Sequence, residues 1–251
     1  HLENKQNIYA QGSWATSFVC YEDIFYLCFN SNDTGNTYIY KTDSLESAKW
    51  QRHVLLGPRH DPSLLFYADR LFIVYGNGDL YYEELDYKNS FEPLSKPSLL
   101  LETEKIDGLR SEGAHWHYVN GYFYLFLIQW PKSGTARRLQ WCYRSKNLTG
   151  PYEGKVILDE DMGFFNNGIA QGGIFHFKGE DYCMLFQDRG AIGRVPILFR
   201  LEWEEDWPVL KTENIVQNDW NNCKLSKGFE AESKSSHLGL EWQWNHIPDD
   251  R

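Results

Sequence analysis

Apolar and polar residues alternate with period two along most of this chain, and few stretches keep the helical period of about 3.6 for more than two turns. Such alternation is typical of half-buried β-strands, because successive side chains point to opposite faces of a sheet. Aromatic residues, which fit pleated and half-buried surfaces, make up 16% of the sequence. The pattern predicts an all-β protein.

A two-strand unit returns four times, and each copy consists of an apolar strand, a polar turn and an aromatic strand. The copies lie 46, 52 and 58 residues apart, and they start at Thr16, Pro62, Ala114 and Gly172. A third strand is predicted after each hairpin, at Thr37–Thr42, Leu80–Leu85, Leu139–Arg144 and Pro196–Trp203. Short strands repeated at this spacing predict the blades of a β-propeller. A long sandwich of meandering hairpins is the alternative, and it would not require regular spacing.

The charge and the cysteines exclude several classes of function. A net charge of −10 and a pI near 5.3 disfavour nucleic acid as a partner, because an acidic surface repels phosphates. No apolar run approaches the roughly 20 residues that cross a bilayer, so no membrane partner is predicted. The five cysteines show no CxxC spacing, and we expect them to be small buried apolar residues.

Two acidic residues stand just before the inner strands of successive units. Asp61 directly precedes Pro62, and Glu112 lies two positions before Ala114. In a propeller the first strand of each blade lines the central channel, so we expect both side chains at one mouth of that channel. Glycoside hydrolysis uses such a pair, one carboxylic acid to protonate the leaving oxygen and one carboxylate to activate water. For either residue alone, a solvated carboxylate in a turn is the simpler interpretation.

His115 and His117 alternate with Trp116 and could offer two metal ligands on one strand face. A zinc site needs at least three protein ligands, and no third stands at a suitable spacing. We therefore expect these histidines to pack or to contact sugar, and no metal site is predicted there. The sequence contains no GxSxG, which argues against a serine hydrolase.

The sequence resembles glycoside hydrolase family 43, whose members are five-bladed propellers with β-xylosidase, α-L-arabinofuranosidase and arabinanase activities. The resemblance follows the family's second to fifth blades, from Ile8 to about Leu210. It is carried by the segments Ser13–Ser17, His60–Leu64, Ser111–His115 and Gln187–Arg194, with support from Asn147–Tyr152 and Trp203–Pro208.

The resemblance implies an inverting glycosidase that releases arabinofuranose or xylose from plant hemicellulose, such as arabinoxylan, arabinan or xylo-oligosaccharides. An endo-acting arabinanase or xylanase of the same fold is one alternative. A carbohydrate-binding propeller that has lost catalysis is another. An extracellular or periplasmic location is expected, with the cytoplasm as the alternative.

The family's motifs imply roles for individual residues. Glu112 matches the general acid, and Asp61 matches the carboxylate that holds the acid in place and tunes its pKa. Trp14 would form a wall of the sugar pocket, and Arg194 would pair with carboxylates or a sugar hydroxyl through its fixed fork of donors. The other predicted sugar-binding side chains are His60, Trp130, Gln171, Gln187 and Arg189.

The chain departs from the family pattern in two places. The family's general base is an Asp in its first blade, and no second Asp-Pro-Ser occurs here. We favour an upstream segment or a second chain as the source of that blade over a degenerate member without a base. Ala170 stands where many members carry a histidine that supports a central calcium ion, so no cofactor is predicted and the calcium is in doubt.

The predicted domain boundary lies after the fourth unit. Residues 1–210 are assigned to the catalytic propeller, and residues 211–251 to a C-terminal extension or linker. Within the extension, Leu238–Asp249 resembles the stretch that leads into a C-terminal β-sandwich in larger members of the family.

Overall fold

The computed structural model describes residues 2–3, 6–7, 13–46 and 49–216. Its regular structure is almost entirely β, with two single-turn 3₁₀ helices at Gly190–Ile192 and Thr212–Asn214. Among the described residues, no helix has the length and apolar character needed to cross a membrane. The strands are β1 (Leu2–Glu3), β2 (Gln6–Asn7), β3 (Ser13–Tyr21), β4 (Ile24–Ser31), β5 (Asn36–Thr42), β6 (Gln51–Leu55), β7 (Ser63–Tyr67), β8 (Arg70–Asn77), β9 (Asp79–Leu85), β10 (Ser98–Glu102), β11 (Gly108–Val119), β12 (Tyr122–Pro131), β13 (Leu139–Ser145), β14 (Glu153–Leu158), β15 (Ala170–Phe177), β16 (Glu180–Asp188), β17 (Arg194–Arg200), β18 (Glu202–Glu204) and β19 (Trp207–Val209).

These strands form four antiparallel meanders, which are the blades of a propeller. Blade A is β3-β4-β5-β6, blade B is β7-β8-β9-β10, blade C is β11-β12-β13-β14, and blade D is β15-β16-β17. The first strand of each blade packs beside the first strand of the next, from β3 to β7, β11 and β15. The predicted all-β propeller with four blades in this chain is therefore confirmed.

The end of blade D differs from the prediction. Strand β17 stops at Arg200, so the predicted third strand Pro196–Trp203 is too long by three residues. Trp203 belongs instead to the small β18-β19 hairpin, where it pairs with Pro208. The rest of the predicted extension, beyond Val216, lies outside the described residues, as do the β-sandwich-like stretch Leu238–Asp249 and Cys223.

The hydrophobic core consists of three clusters, and each fills one interface between neighbouring blades. Blades A and B share a cluster around Ile39, Leu64 and Ile73. Blades B and C pack around Trp116, and blades C and D pack around Phe126 and Phe199. Period-two alternation in every strand supplies one apolar face to each interface, so the stack of blades follows directly from the sequence pattern.

A left-handed backbone residue precedes each repeated unit. Asp61 has φ of 47° and Gly113 has φ of 67°, and the corresponding residues of blades A and D are Ala15 and Gln171. The pairing register of the inner strand shifts beside this residue in blades A, C and D. Such bulges re-aim side chains at the ends of strands. The kink turns the side chains before it toward one mouth of the channel.

Side chains join each inner strand to the next blade. Leu64 donates its backbone N–H to Ser17 Oγ at 3.3 Å, and Trp116 donates its own to Ser63 Oγ at 3.1 Å. At the corresponding place in blade D, Ile174 N–H donates to His117 Nε2 at 3.3 Å. These bonds fix the height of each blade relative to its neighbour, and with it the level of the kinks at the mouth.

The side of the propeller between blades D and A is open in the described part of the chain. A cleft of about 600 Å³ lies there, lined by β3 on one side and by β15, β16 and β17 on the other. Phe18, Phe175 and Met184 line it and are 54%, 43% and 50% exposed. Exposed apolar faces of this kind are typical of surfaces that pack against another element.

The bond between blades B and C gives a stability prediction. Replacing Ser63 with Ala should lower the free energy of unfolding by about 1–3 kcal/mol, because it leaves the buried Trp116 N–H without an acceptor. Urea unfolding of the variant measures the change. Ser133→Ala, at an exposed turn serine, is the control and should change stability by less than about 0.5 kcal/mol. Equal stability of the two variants would contradict this account of how the blades are joined.

Candidate active site

The two predicted carboxylates and a histidine meet at one mouth of the propeller. One side-chain nitrogen of His60 and one carboxylate oxygen each of Asp61 and Glu112 all lie within 4.8 Å of one another. His60 Nε2 is 2.9 Å from Glu112 Oε2 and 3.5 Å from Asp61 Oδ2. His60 Nε2 and Glu112 Oε2 therefore share a hydrogen bond, and the carboxyl group of Asp61 lies next to them.

The structure refines the expected equivalence of the two carboxylates. Asp61 is the kinked residue of blade B, and its counterpart in blade C is Gly113 rather than Glu112. Glu112 corresponds to His60, the residue before the kink. Each residue bonds its counterpart: His60 to Glu112, and Asp61 Oδ2 to Gly113 N–H at 2.9 Å.

Only glycine fits the kink of blade C without displacing a neighbour. A Cβ on Gly113 would lie 2.9 Å from Gln171 Cγ, which is the kinked residue of blade D. The positive φ of Gly113 is a second reason, since it strains any L-residue that carries a side chain. The missing side chain leaves the N–H free to approach Asp61.

Burial controls the titration of Asp61, whose side chain is only 5% exposed. It raises the pKa of Asp61 to about 6; the His60 charge opposes the shift, the Glu112 charge adds to it, and Gly113 N–H and Arg194 also oppose it. The hydrogen bond to Glu112 raises the pKa of His60, and burial of the ring acts against it. Asp61 therefore titrates near pH 6, beside the His60 imidazole.

Arg194 lies near Asp61 and beside Asp188. Its charge lowers the pKa of Asp61, its guanidinium stacks 4.6 Å from the Phe186 ring, and its Nε is 3.6 Å from Asp188 Oδ1. Trp14 is 46% exposed and occupies in blade A the position that His60 and Glu112 occupy in blades B and C. Both side chains are thus accessible to a ligand at the mouth.

Trp130, a predicted sugar-binding side chain, lies near the end of strand β12. Its ring is 40% exposed, and its Nε1–H donates to Ala136 O at 3.3 Å. The Arg138 guanidinium covers one face at 4.4 Å and also pairs with Asp188. A sugar could stack only on the other face.

Gln187 is not available to a sugar, which corrects the sequence prediction. Its side chain is fully buried, and its Nε2 donates to the backbone carbonyls of Asp161 and Asn167. These buried hydrogen bonds from a side-chain amide fix the loop that precedes blade D. Nothing in the one-dimensional motif distinguishes this internal role from a ligand contact.

Gln171 and Arg189 hold intermediate positions. Gln171 is the kinked residue of blade D, packs against Gly113 and donates its backbone N–H to Gln140 Oε1 at 2.8 Å. The Arg189 guanidinium stacks on the Phe164 ring at 4.3 Å. Gln171 therefore borders the cluster, and Arg189 supports the loop that carries Phe164.

Asn77 contacts the acid cluster, although no sequence motif selects it. Asn77 is the last residue of β8, next to the turn into β9. Its Nδ2 donates to Glu112 Oε2, and the two atoms are 2.8 Å apart. The signal that could have found it is its place in blade B, at the end of the strand that pairs with the inner strand. A lone turn asparagine carries no such information in one dimension.

The described residues of the channel offer few free oxygen ligands for a central calcium ion. Ala170 is buried and presents only a methyl group. Ser17, Ser63 and His117 already accept backbone N–H groups. Calcium takes six to eight oxygen ligands, so the described lining does not fit this ion.

Burial lowers the pKa of His115 to about 4 and that of His117 to about 3, and their rings stack at 6.4 Å. Both imidazoles are therefore neutral in the physiological range, as expected for packed channel residues.

Beyond Asp61 and Glu112, the described mouth positions are not acidic. Blade A places Trp14 and Ala15 there, and blade D places Ala170 and Gln171. Asp188 lies in blade D and is paired with Arg138 and Arg194.

Comparison with known proteins identifies the family of this architecture. A model of the family described as Glycosyl hydrolases family 43 matches residues 1–208. A protein of Xylanibacter ruminicola named putative beta-xylosidase is 28% identical over 96% of this chain and 48% of its own length. A Butyrivibrio fibrisolvens protein named xylosidase/arabinosidase is 25% identical over 90% of this chain and 49% of its own length. The chain spans about half the length of these curated relatives.

Solved structures show the same fold. A structure described as bifunctional GH43-CE of Bacteroides eggerthii is 36% identical, with a TM-score of 0.73, over 82% of this chain and 26% of that one. The GH43 BlXynB protein of Bacillus licheniformis is 20% identical, with a TM-score of 0.70, over 85% of this chain and 48% of that one. At 20% identity, the likeness to the Bacillus licheniformis protein supports the fold alone.

The raised pKa of Asp61 predicts a pH-dependent contribution to stability. The folded value of about 6 lies above the ordinary 3.8, so the folded state binds the proton more tightly. The stabilisation is fully present below pH 3.8 and is lost as the pH rises through 6. Relative to Asp61→Asn, the parent protein should lose up to about 3 kcal/mol of unfolding free energy over this range, measured by urea denaturation.

Asp69→Asn is the control for this titration. Hydrogen bonds from Lys88 and Tyr87 lower the pKa of Asp69. The stabilisation from Asp69 should therefore be present above pH 3.8 and be lost as the pH falls below that value, which is opposite in sign to the effect of Asp61. A difference between the parent and Asp61→Asn that does not change with pH would contradict the assigned burial of the Asp61 charge.

Proposed function

The chain belongs to glycosyl hydrolases family 43, and from this membership we propose that it supplies the general acid of an inverting glycosidase that acts on plant hemicellulose. The observation that supports this most is the cluster of His60, Asp61 and Glu112 at the mouth of the propeller. Because the chain spans about half the length of its curated relatives, the activity of the whole protein is part of the proposal.

Glu112 is the general acid of the proposed reaction. Its proton passes to the glycosidic oxygen while the bond from that oxygen to the anomeric carbon breaks. Water attacks the anomeric carbon from the opposite face and loses a proton to a base, which inverts the configuration. Asp61, whose buried carboxyl group lies in the same cluster, is proposed to hold this acid in place.

The proposed substrate is a pentose-containing polysaccharide or its oligosaccharides. The names beta-xylosidase and xylosidase/arabinosidase belong to the relatives, and they support release of xylose or arabinofuranose by this chain. Exposed Trp14 and Trp130 offer aromatic faces for a sugar ring. An endo-acting arabinanase or xylanase remains the alternative with the same site.

The proposed base comes from a further blade that fills the open side between blades D and A. The mouth positions of blades A and D provide no carboxylate, and the cleft between these blades exposes Phe18, Phe175 and Met184. An upstream segment is the proposed source, and a second chain is the alternative. A binding propeller without catalysis is the function that follows if neither supplies a base.

The polymeric substrate supports an extracellular or periplasmic location. Cytoplasmic location would fit a protein that acts on imported oligosaccharides instead.

The general-acid role predicts an effect that depends on the leaving group. In the full-length protein, Glu112→Gln should lower kcat/KM for phenyl β-D-xyloside or phenyl α-L-arabinofuranoside by about 10²–10⁴-fold. The loss on dinitrophenyl glycosides should be far smaller, because that leaving group departs without a proton. Initial-rate assays on both series measure the contrast. Glu102→Gln, on the outer strand β10, is the matched control.

An equal loss on both series would contradict general-acid catalysis by Glu112. Full activity of the variant would overturn the proposed function as a whole.

The source of the base is tested with the same aryl glycosides. Residues 1–251 alone should show no turnover, whereas the protein with its preceding coding segment restored should hydrolyse one of the two pentosides. Turnover by residues 1–251 alone would contradict an upstream base. Inactivity of both forms, with retained binding of xylo- or arabino-oligosaccharide by calorimetry, would establish the binding propeller instead.

A further inference from the structure

Glu112 has its two carboxyl oxygens in different environments. Oε2 accepts a hydrogen bond from Asn77 Nδ2 at 2.8 Å and lies 2.9 Å from His60 Nε2. Within the described ranges, Oε1 has no hydrogen-bond partner. A carboxyl group with this asymmetry favours its proton on the unbonded oxygen, since Oε2 already accepts from the Asn77 amide, which can only donate through its nitrogen.

Asn77 is held by the backbone of both segments that carry the acid cluster. Gly76 N–H donates to His60 O at 3.0 Å, and Gly78 N–H donates to Ser111 O at 2.7 Å. The tip of the β8-β9 hairpin is thus bonded on one side to the residue before Asp61 and on the other to the residue before Glu112. Any displacement of either segment would move Asn77 with it.

A second set of contacts supports the tip from behind. The Thr103 hydroxyl donates to Gly78 O, and Arg110 donates to Asp79 Oδ1 at 2.8 Å and to Thr103 O at 3.0 Å. A Cβ on Gly78 would lie 2.5 Å from the Arg110 guanidinium, so the turn is closely packed there. Although the Asn77 side chain is exposed, its backbone is fixed. This makes it a preorganised donor rather than a mobile surface amide.

We propose that Asn77 is a positioning residue for the general acid, and that together with His60 it assigns the transferable proton to Oε1 of Glu112. The inference rests on the proposed function. As the Oε1 proton passes to the glycosidic oxygen and the bond to the anomeric carbon breaks, Glu112 becomes a carboxylate. Its charge is then stabilised at Oε2 by the Asn77 donor, which is already in place beside the hydrogen bond shared with His60, so no reorganisation is needed during the step.

Asn77 and His60 differ in one chemical respect. The amide of Asn77 donates at every pH, whereas the imidazole gains a second N–H when it is protonated. Asn77 therefore supplies a constant donor, and its removal should be visible in the pH dependence of the reaction.

The test uses Asn77→Ala and Asn77→Asp in the full-length protein, with phenyl and dinitrophenyl pentosides. Asn77→Ala should lower kcat for the phenyl substrate by about 10- to 100-fold, as expected for one hydrogen bond to a charged group. The value of KM should stay within about threefold, because the contact is to the acid and not to the sugar. The loss on the dinitrophenyl substrate should be smaller.

The pH profile separates this role from a structural one. Loss of a donor to the charged form favours the protonated acid, so the basic limb of kcat/KM should move upward by about one pH unit in Asn77→Ala. Asn77→Asp should move it further, because it places a carboxylate beside another. Asn89→Ala, an exposed asparagine in the loop after β9, is the matched control and should change neither the rate nor the profile.

Unchanged kcat and an unchanged basic limb in Asn77→Ala would overturn the inference. So would an equal loss on both leaving groups with no shift of the profile, which is the result of a merely structural defect; thermal unfolding of each variant identifies that case. Failure of this inference and failure of the proposed function give different results. If Glu112→Gln fails on the phenyl substrate while Asn77→Ala is normal, only the role of Asn77 is wrong. If Glu112→Gln remains fully active, the proposed function is wrong.

Discussion

Gly113 N–H donates to Asp61 Oδ2 across the boundary between blades B and C, and the geometry of the mouth depends on this contact. It requires a kinked residue with positive φ in both blades, an Asp in one and a Gly in the other. Once it forms, the residues before the two kinks are brought into register, and His60 meets Glu112. A small displacement of one blade would therefore separate Glu112 from both His60 and Asn77.

The bonds below the mouth keep the blades at this height. Ser17, Ser63 and His117 each accept a backbone N–H from the next inner strand, so the same contact is repeated around the channel. The apolar interfaces supply most of the stability, but they are tolerant of sliding because dispersion is not directional. Directional bonds are what set the position of one blade against another. The cluster of His60, Asp61 and Glu112 thus uses a general feature of the repeat, with two residues changed to carboxylates.

Charge burial gives this arrangement its chemical character. Asp61 lies out of water beside another carboxyl group, and burial raises its pKa to about 6. Asn77 donates to Glu112 Oε2, and His60 Nε2 shares a hydrogen bond with the same oxygen. Environments that treat two neighbouring carboxyl groups differently are the usual means by which a protein assigns separate roles to them.

The sequence predicted the blades well, because strand alternation and the spacing of the units are both local properties. It also selected Asp61 and Glu112 from their place before the inner strands. It did not show that Glu112 corresponds to His60, since the kink that defines the alignment is a backbone conformation. Gln187 was misassigned because a buried amide and a ligand contact look alike in one dimension. Asn77 was missed because its importance arises from a hairpin tip that reaches between two distant segments.

A structure of the full-length protein with a non-hydrolysable thio-linked xylo- or arabino-oligosaccharide would test the central claim most directly. The account predicts that the linking atom lies about 3 Å from Glu112 Oε1. It also predicts a second carboxylate across the sugar, about 6.5–9.5 Å from Glu112 and supplied by a blade between D and A. A ligand bound away from the cluster, or a closed propeller with no carboxylate facing Glu112, would contradict it.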